Sequence, residues 1–160
     1  MNINSACILE DRGILFIDGA DAKDFLQNII TNDINKLNEN NPLYTAMLSP
    51  QGKYLYDFII LQEKDFFLLE VNSSIVNNLI DEIKKYDIRN DISIELQEIF
   101  NTKVIIKENL AKIYQEKINI IKVYREKEFL FFLDPRANDF LYRFWFYKKS
   151  DSPLNLNFSK

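Results

Sequence analysis

The chain contains no histidine. That absence removes the usual general base, the commonest metal ligand and every His-containing triad, so any chemistry must rest on carboxylates, tyrosine, lysine or a bound cofactor. Cysteine is nearly as scarce. Cys7 is the only one, which excludes an intrachain disulfide and a cysteine-based metal cluster built by one chain. Clustered cations are missing too. The formal charge is −4 and the lysines are scattered among Glu and Asp, so nucleic-acid binding by phosphate neutralisation is not expected. No apolar run approaches membrane-spanning length, and the opening MNINSACILEDRG lacks a cationic segment followed by a sustained apolar one. A cytoplasmic protein with no membrane partner is the expectation.

What is present suffices for a core. Hydrophobic residues make up 47% and aromatics 14% of 160 residues, which suits one domain or two small lobes. Ala6–Glu10 and Ile14–Asp18 are β-prone runs around Asp11-Arg12-Gly13, where Gly13 can supply a positive φ; they predict a hairpin or a pair of crossed strands. Asp21 is placed to cap a helix whose Phe25, Leu26, Ile29 and Ile30 share one face. Thr31-Asn32-Asp33 ends it, with Asn32 suited to a left-handed cap. Strands are predicted at Tyr44–Leu48, Tyr54–Leu61 and Phe66–Val71, the first two joined by the turn Ser49-Pro50-Gln51-Gly52. Ser73 or Ser74 can cap a second helix carrying Ile75, Val76, Leu79, Ile80 and Ile83, up to Tyr86. This first lobe, about residues 1–91, reads ββαβββα.

Beyond Arg89 the pattern turns to strands at Ile92–Leu96, Lys103–Ile106, Ile120–Tyr124, Phe129–Leu133 and Phe144–Tyr147, with no comparable helix. They make a partial second lobe over about 92–147. Residues 148–160 lack periodicity and read as a tail. Phe66, Phe67, Phe129, Phe131 and Phe132 are assigned to packing.

Gly19-Ala20-Asp21-Ala22-Lys23-Asp24-Phe25-Leu26-Gln27, followed by Thr31-Asn32-Asp33-Ile34, resembles the opening signature of YgfZ-type folate-binding proteins of the aminomethyltransferase superfamily. Leu48-Ser49-Pro50-Gln51-Gly52-Lys53, with Leu55 and Asp57-Phe58, resembles that family's second block. Lys84-Lys85-Tyr86-Asp87-Ile88-Arg89 resembles its helix exit, and Asp134-Pro135-Arg136 with Arg143 its aspartate-proline-arginine segment, although Leu141-Tyr142 replace the usual Gly-Trp. The resemblance spans roughly residues 8 to 144. Family members usually continue into a second half with a lysine-glycine-cysteine-tyrosine motif and a small β-barrel; this sequence carries neither, and Cys7 lies in the wrong block to stand for that cysteine.

The implied fold is α+β with largely antiparallel sheets: two β2-α-β3-α lobes that exchange first strands and hold folate near their centre. Here the first lobe is complete and the second partial, so its sheet edges are truncated or are covered by another copy or a complementing chain. The implied cofactor is tetrahydrofolate, and the implied partners are iron–sulfur assembly proteins. The implied role is accessory, in iron–sulfur cluster maturation or repair or in tRNA modification. One alternative is a folate-dependent aminomethyltransferase, against which Tyr56 stands where those enzymes usually have a further aspartate. A second is a truncated interaction module that binds no folate.

Asp57 lies in an apolar strand on the face of Leu55 and Ile59, where a carboxylate needs a donor. By resemblance it is the acid/base residue approaching the folate's reactive nitrogens; the structural alternative is an edge carboxylate paired with Lys53 or Arg12. The resemblance also implies cofactor-binding roles for Asn32, Gln51, Lys53, Tyr86 and Arg89. Each has a structural alternative: helix-exit chemistry for Asn32, a solvated turn for Gln51 and Lys53, core closure for Tyr86 and helix-dipole pairing for Arg89. Lys53 suits the anionic glutamate tail of a folate. Arg136 and Arg143 are read as scaffold ion pairs with Asp134 or Asp139.

Overall fold

The computed structural model describes residues 6–89, 91–97, 100–106, 122–137, 141–147 and 158–159. The chain divides into two compact units, Asp11–Glu98 and Met1–Glu10 with Ile99–Lys160. The first unit holds strands β2 (Arg12–Asp18), β3 (Leu43–Leu48), β4 (Tyr54–Glu63), β5 (Phe66–Asn72) and β6 (Ser93–Gln97), and helices α1 (Ala22–Ile29) and α2 (Val76–Tyr86). The strands form one antiparallel sheet in the order β3-β4-β5-β2-β6.

Helical spacing explains how the helices meet this sheet. Ala22 and Leu26 lie one turn apart, Val76, Leu79 and Ile83 recur every three to four residues, and all are buried with Leu15, Phe58, Ile60 and Leu69 in one core. Phe58 and Ile60 face that core from β4. Asp57, Ile59 and Leu61 alternate with them onto the opposite face, where Ile59 and Leu61 are buried as well.

The sequence patterns located these elements, but four local details differ from expectation. Asp21 holds the N-cap position of α1 without capping; its Oδ2 accepts from Arg89 NH2 at 2.7 Å instead. The turn before α2 is capped by Asn72, which accepts from Ser74 N at 2.9 Å, rather than by Ser73 or Ser74. Asn32 is not left-handed, and α1 ends on an extended Ile30 whose N–H still reaches the Leu26 carbonyl. Gly13 has no positive φ; it lies inside β2, where a Cβ would come within 2.9 Å of Val76 Cγ2. There the small residue answers a packing need.

Gly19 is different. Its φ is +146°, and a Cβ would fall 2.5 Å from the carbonyl oxygen of Asp91, a backbone atom that cannot rotate aside. Gly19→Ala is expected to cost about 1–3 kcal/mol, read as a lower urea midpoint at unchanged m-value.

The second unit contains β1 (Ala6–Leu9), β7 (Phe100–Ile106), β8 (Val123–Arg125), β9 (Phe129–Leu133), β10 (Leu141–Tyr147) and β11 (Phe158–Ser159), in the order β11-β1-β7-β10-β9-β8. β1 and β2, adjacent in sequence, therefore enter different sheets rather than forming a hairpin, in line with the first-strand exchange of the resembled fold. β11 adds to β1 in parallel. Residues 120, 121 and 148–157, where the sequence predicts a strand start and a tail, lie outside the described residues. Aromatic packing holds this sheet: Phe131 and Phe144 are cross-strand partners with ring centroids 5.4 Å apart, and Phe132 meets Trp145 edge to face at 5.0 Å.

Candidate functional site

The bend before β4 is built by its own backbone. Ser49 N donates to Lys53 O at 2.8 Å, Gly52 N donates to Ser49 O at 2.8 Å, and Ser49 Oγ accepts from both Gln51 N and Lys53 N at 3.3 Å. Gly52 has a φ of +79° with open space around its Cα, so glycine serves the turn's backbone. The side chains of Gln51 and Lys53 are exposed on this bend.

Asp57 follows, half-buried, with both carboxylate oxygens engaged by phenols. Tyr44 of β3 donates to Oδ2 at 2.8 Å, and Tyr54, at the start of β4, donates to Oδ1. The two cations proposed as alternative partners are placed otherwise. Lys53 stands on the exposed bend, and Arg12 Nε lies 3.7 Å from Asp11 Oδ1 and 3.8 Å from the buried Glu70. The hydrogen bond to Asp57, then partial burial, then the carboxylate's charge push the Tyr54 phenol up to about 12. Tyr54 therefore stays a donor throughout the physiological range.

The remaining residues selected from sequence are dispersed. Asn32 is consumed by structure: its Nδ2 donates to Tyr44 O at 3.1 Å and its Oδ1 accepts from Asp33 N at 2.9 Å and Lys36 Nζ at 3.2 Å. Through Tyr44 it still braces the strand that carries one phenol. Arg89 is held by Asp21 at 2.7 Å and Asp91 at 3.0 Å. With Tyr86, Asp24 and Asp87 it lines a cleft of about 390 Å³ at the exit of α2. Tyr86 and Asn28 also border a groove of about 590 Å³ that runs past Ile29, Met47, Leu48 and Pro50. Asp57, Asn32, Gln51 and Lys53 line neither. Sequence reasoning missed Tyr44 and Tyr54, whose hydroxyls donate to Asp57.

In the second unit Asp134 is buried and bound twice over. Arg136 donates to it from Nε and NH2 at 3.0 Å, and Arg143 from Nε at 2.7 Å. Both arginines are scaffold pairs of this carboxylate, and Asp139 lies outside the described residues. Burial alone would push the Asp134 carboxyl up, but the side-chain and backbone hydrogen bonds from Arg136 and the bond and charge of Arg143 outweigh it, holding it at about 2.

Residues 11–106, more than half of the chain, match the GCVT N-terminal domain. The chain belongs to that family. It is 35% identical over 95 residues to the iron-sulfur cluster assembly factor IBA57 homolog, mitochondrial, of Neurospora crassa, covering 55% of this chain and 22% of that protein. To the aminomethyltransferase of Caldanaerobacter subterraneus it is 32% identical over 125 residues, covering 72% and 33%. To the tRNA-modifying protein YgfZ of Buchnera aphidicola it is 30% identical over 136 residues, covering 80% and 42%. The chain thus spans between about a fifth and two fifths of these relatives' lengths. The crystal structure of glycine cleavage system aminomethyltransferase T from Bartonella henselae superposes with a TM-score of 0.73 over 89% of this chain and 41% of that one, at 13% identity. That likeness shows the fold: this GCVT-family chain has the α+β, largely antiparallel architecture that its motifs imply. Among the described residues no helix is long and apolar enough to cross a membrane.

Proposed function

We propose that this chain binds tetrahydrofolate at the β4 face bearing Asp57, as an accessory protein of the YgfZ type in iron–sulfur cluster maturation or repair or in tRNA modification. The observation that carries the reading is the Asp57 carboxylate, half-buried behind the Pro-Gln-Gly bend and gripped by a phenol on each oxygen. Such a carboxylate fits the ligand's chemistry. A reduced pterin presents N–H donors, and an ionised carboxylate is an acceptor on both of its oxygens. The exposed Lys53 suits the carboxylates of the folate tail.

Bound tetrahydrofolate would supply the nitrogens that carry a one-carbon unit. The chain's own contribution is narrower: Asp57 accepts a hydrogen bond or holds a proton, and Tyr44 and Tyr54 keep it in place. A folate-dependent aminomethyltransferase is the second reading, favoured by the relatives that bear that name and disfavoured by Tyr56 beside Asp57.

Calorimetric titration of the purified chain with tetrahydrofolate is expected to give saturable, single-site binding. No heat and no binding at millimolar ligand would leave only an interaction module. Turnover with an aminomethylated lipoyl carrier would promote the transferase reading instead.

A further inference from the structure

Strict strand alternation would put Tyr54 and Asp57, three residues apart, on opposite faces of the sheet. They are on the same face because β4 carries a bulge. Ala46 pairs with Asp57 and Met47 with Tyr56, but Leu48 pairs with Tyr54, so Leu55 is an extra residue without its own partner on β3. Ala46 and Leu48 point the same way, and the bulge brings Tyr54 round to the side of Asp57. There its hydroxyl donates to Oδ1. Packing does not account for this tyrosine, which is 62% exposed.

We propose that Tyr54 is a positioning residue for Asp57, swung onto the carboxylate's face by the bulge at Leu55 so that the acid presents one fixed orientation to ligand. The proposal rests on the folate reading for its purpose, but its geometry stands apart from that reading. Tyr44 reaches the other oxygen from a neighbouring strand with regular register. Tyr54 closes the clamp from the bend itself, coupling the Pro-Gln-Gly turn to the acid.

Tyr54→Phe keeps the ring and removes only the donor. Tetrahydrofolate affinity is expected to fall about three- to tenfold at neutral pH with an unchanged Tm. The acid limb of the binding profile should also move to higher pH, because a lost hydrogen bond to the anion favours protonation. The carboxyl carbon resonance of Asp57, followed by pH titration without ligand, should shift its midpoint upward in Tyr54→Phe and not in the control Leu48→Ala. Wild-type affinity across the pH range together with an unmoved resonance would overturn the proposal. If the unsubstituted chain binds no folate, the folate reading fails and the resonance alone decides the role of Tyr54.

Discussion

Asp57→Asn is expected to weaken tetrahydrofolate binding by about 10- to 100-fold while leaving the fold intact. The magnitude is that of a charged hydrogen bond, worth about 1.5–3 kcal/mol against a neutral one left poorly matched. The amide has nearly the carboxylate's shape, and its oxygen can still accept from one phenol. Its nitrogen then faces the other phenol, whose oxygen can accept in turn. Because Tyr44 and Tyr54 are exposed, with 37% and 62% of their surface in solvent, the stability cost should stay under about 1 kcal/mol. Asp57→Ala removes the acceptor altogether, and binding should become undetectable by calorimetry. Paired melting curves and titrations separate the outcomes. A loss of affinity that tracks a loss of Tm would make Asp57 a structural residue, and an unchanged affinity in Asp57→Ala would refute its place in the site.

The difference between what the sequence disclosed and what it hid follows from periodicity. Leu26, Leu79 and Ile83 announce their helices because burial imposes a three- to four-residue spacing, and Phe58 and Ile60 announce a strand face through a spacing of two. The side chain of Asp57 could be placed on the face of Ile59 by the same rule. Its partners could not. Tyr44 reaches Asp57 only because β3 and β4 pair in one particular register, and register is a property of two strands that neither displays alone. Tyr54 breaks the very alternation used to read β4, since the bulge at Leu55 shifts its phase. The caps failed for a related reason. Asp21, Ser73 and Ser74 all have cap-forming side chains, but Arg89, 68 residues downstream, draws Asp21 away, and Asn72 takes the turn before α2. Local propensity loses wherever a distant charge or a neighbouring amide offers a better partner. The Asp134 cluster was half legible: the sequence offered Asp134 as a partner for Arg136 and Arg143, and both arginines donate to it, but that one carboxylate would hold the two together depends on the chain path between β9 and β10.

Asp134→Ala should be strongly destabilising, at about 3–5 kcal/mol. The side chains of Asp134 and Arg143 are only 4% and 6% exposed, so removing the acid strips a buried guanidinium of this counter-charge in a place water does not reach. Arg136, with 25% exposure, can turn outward to be hydrated; Arg143 cannot follow without dismantling β10. The same geometry sets an acid limit. Because the folded carboxyl is depressed from 3.8 to about 2, its contribution is fully present above the unfolded value and is lost as pH falls from about 4 towards 2. The shift corresponds to ~2 kcal/mol, so urea midpoints of the unsubstituted chain should decline through that window. In Asp134→Asn, which starts lower, the slope should flatten by one proton. A double replacement, Asp134→Leu with Arg143→Met, gives the sharper test of purpose. If the pair is scaffold, exchanging both charges for apolar bulk should restore much of the stability lost in Asp134→Ala, and folate affinity with it. If stability returns without affinity, one of these charges serves the ligand.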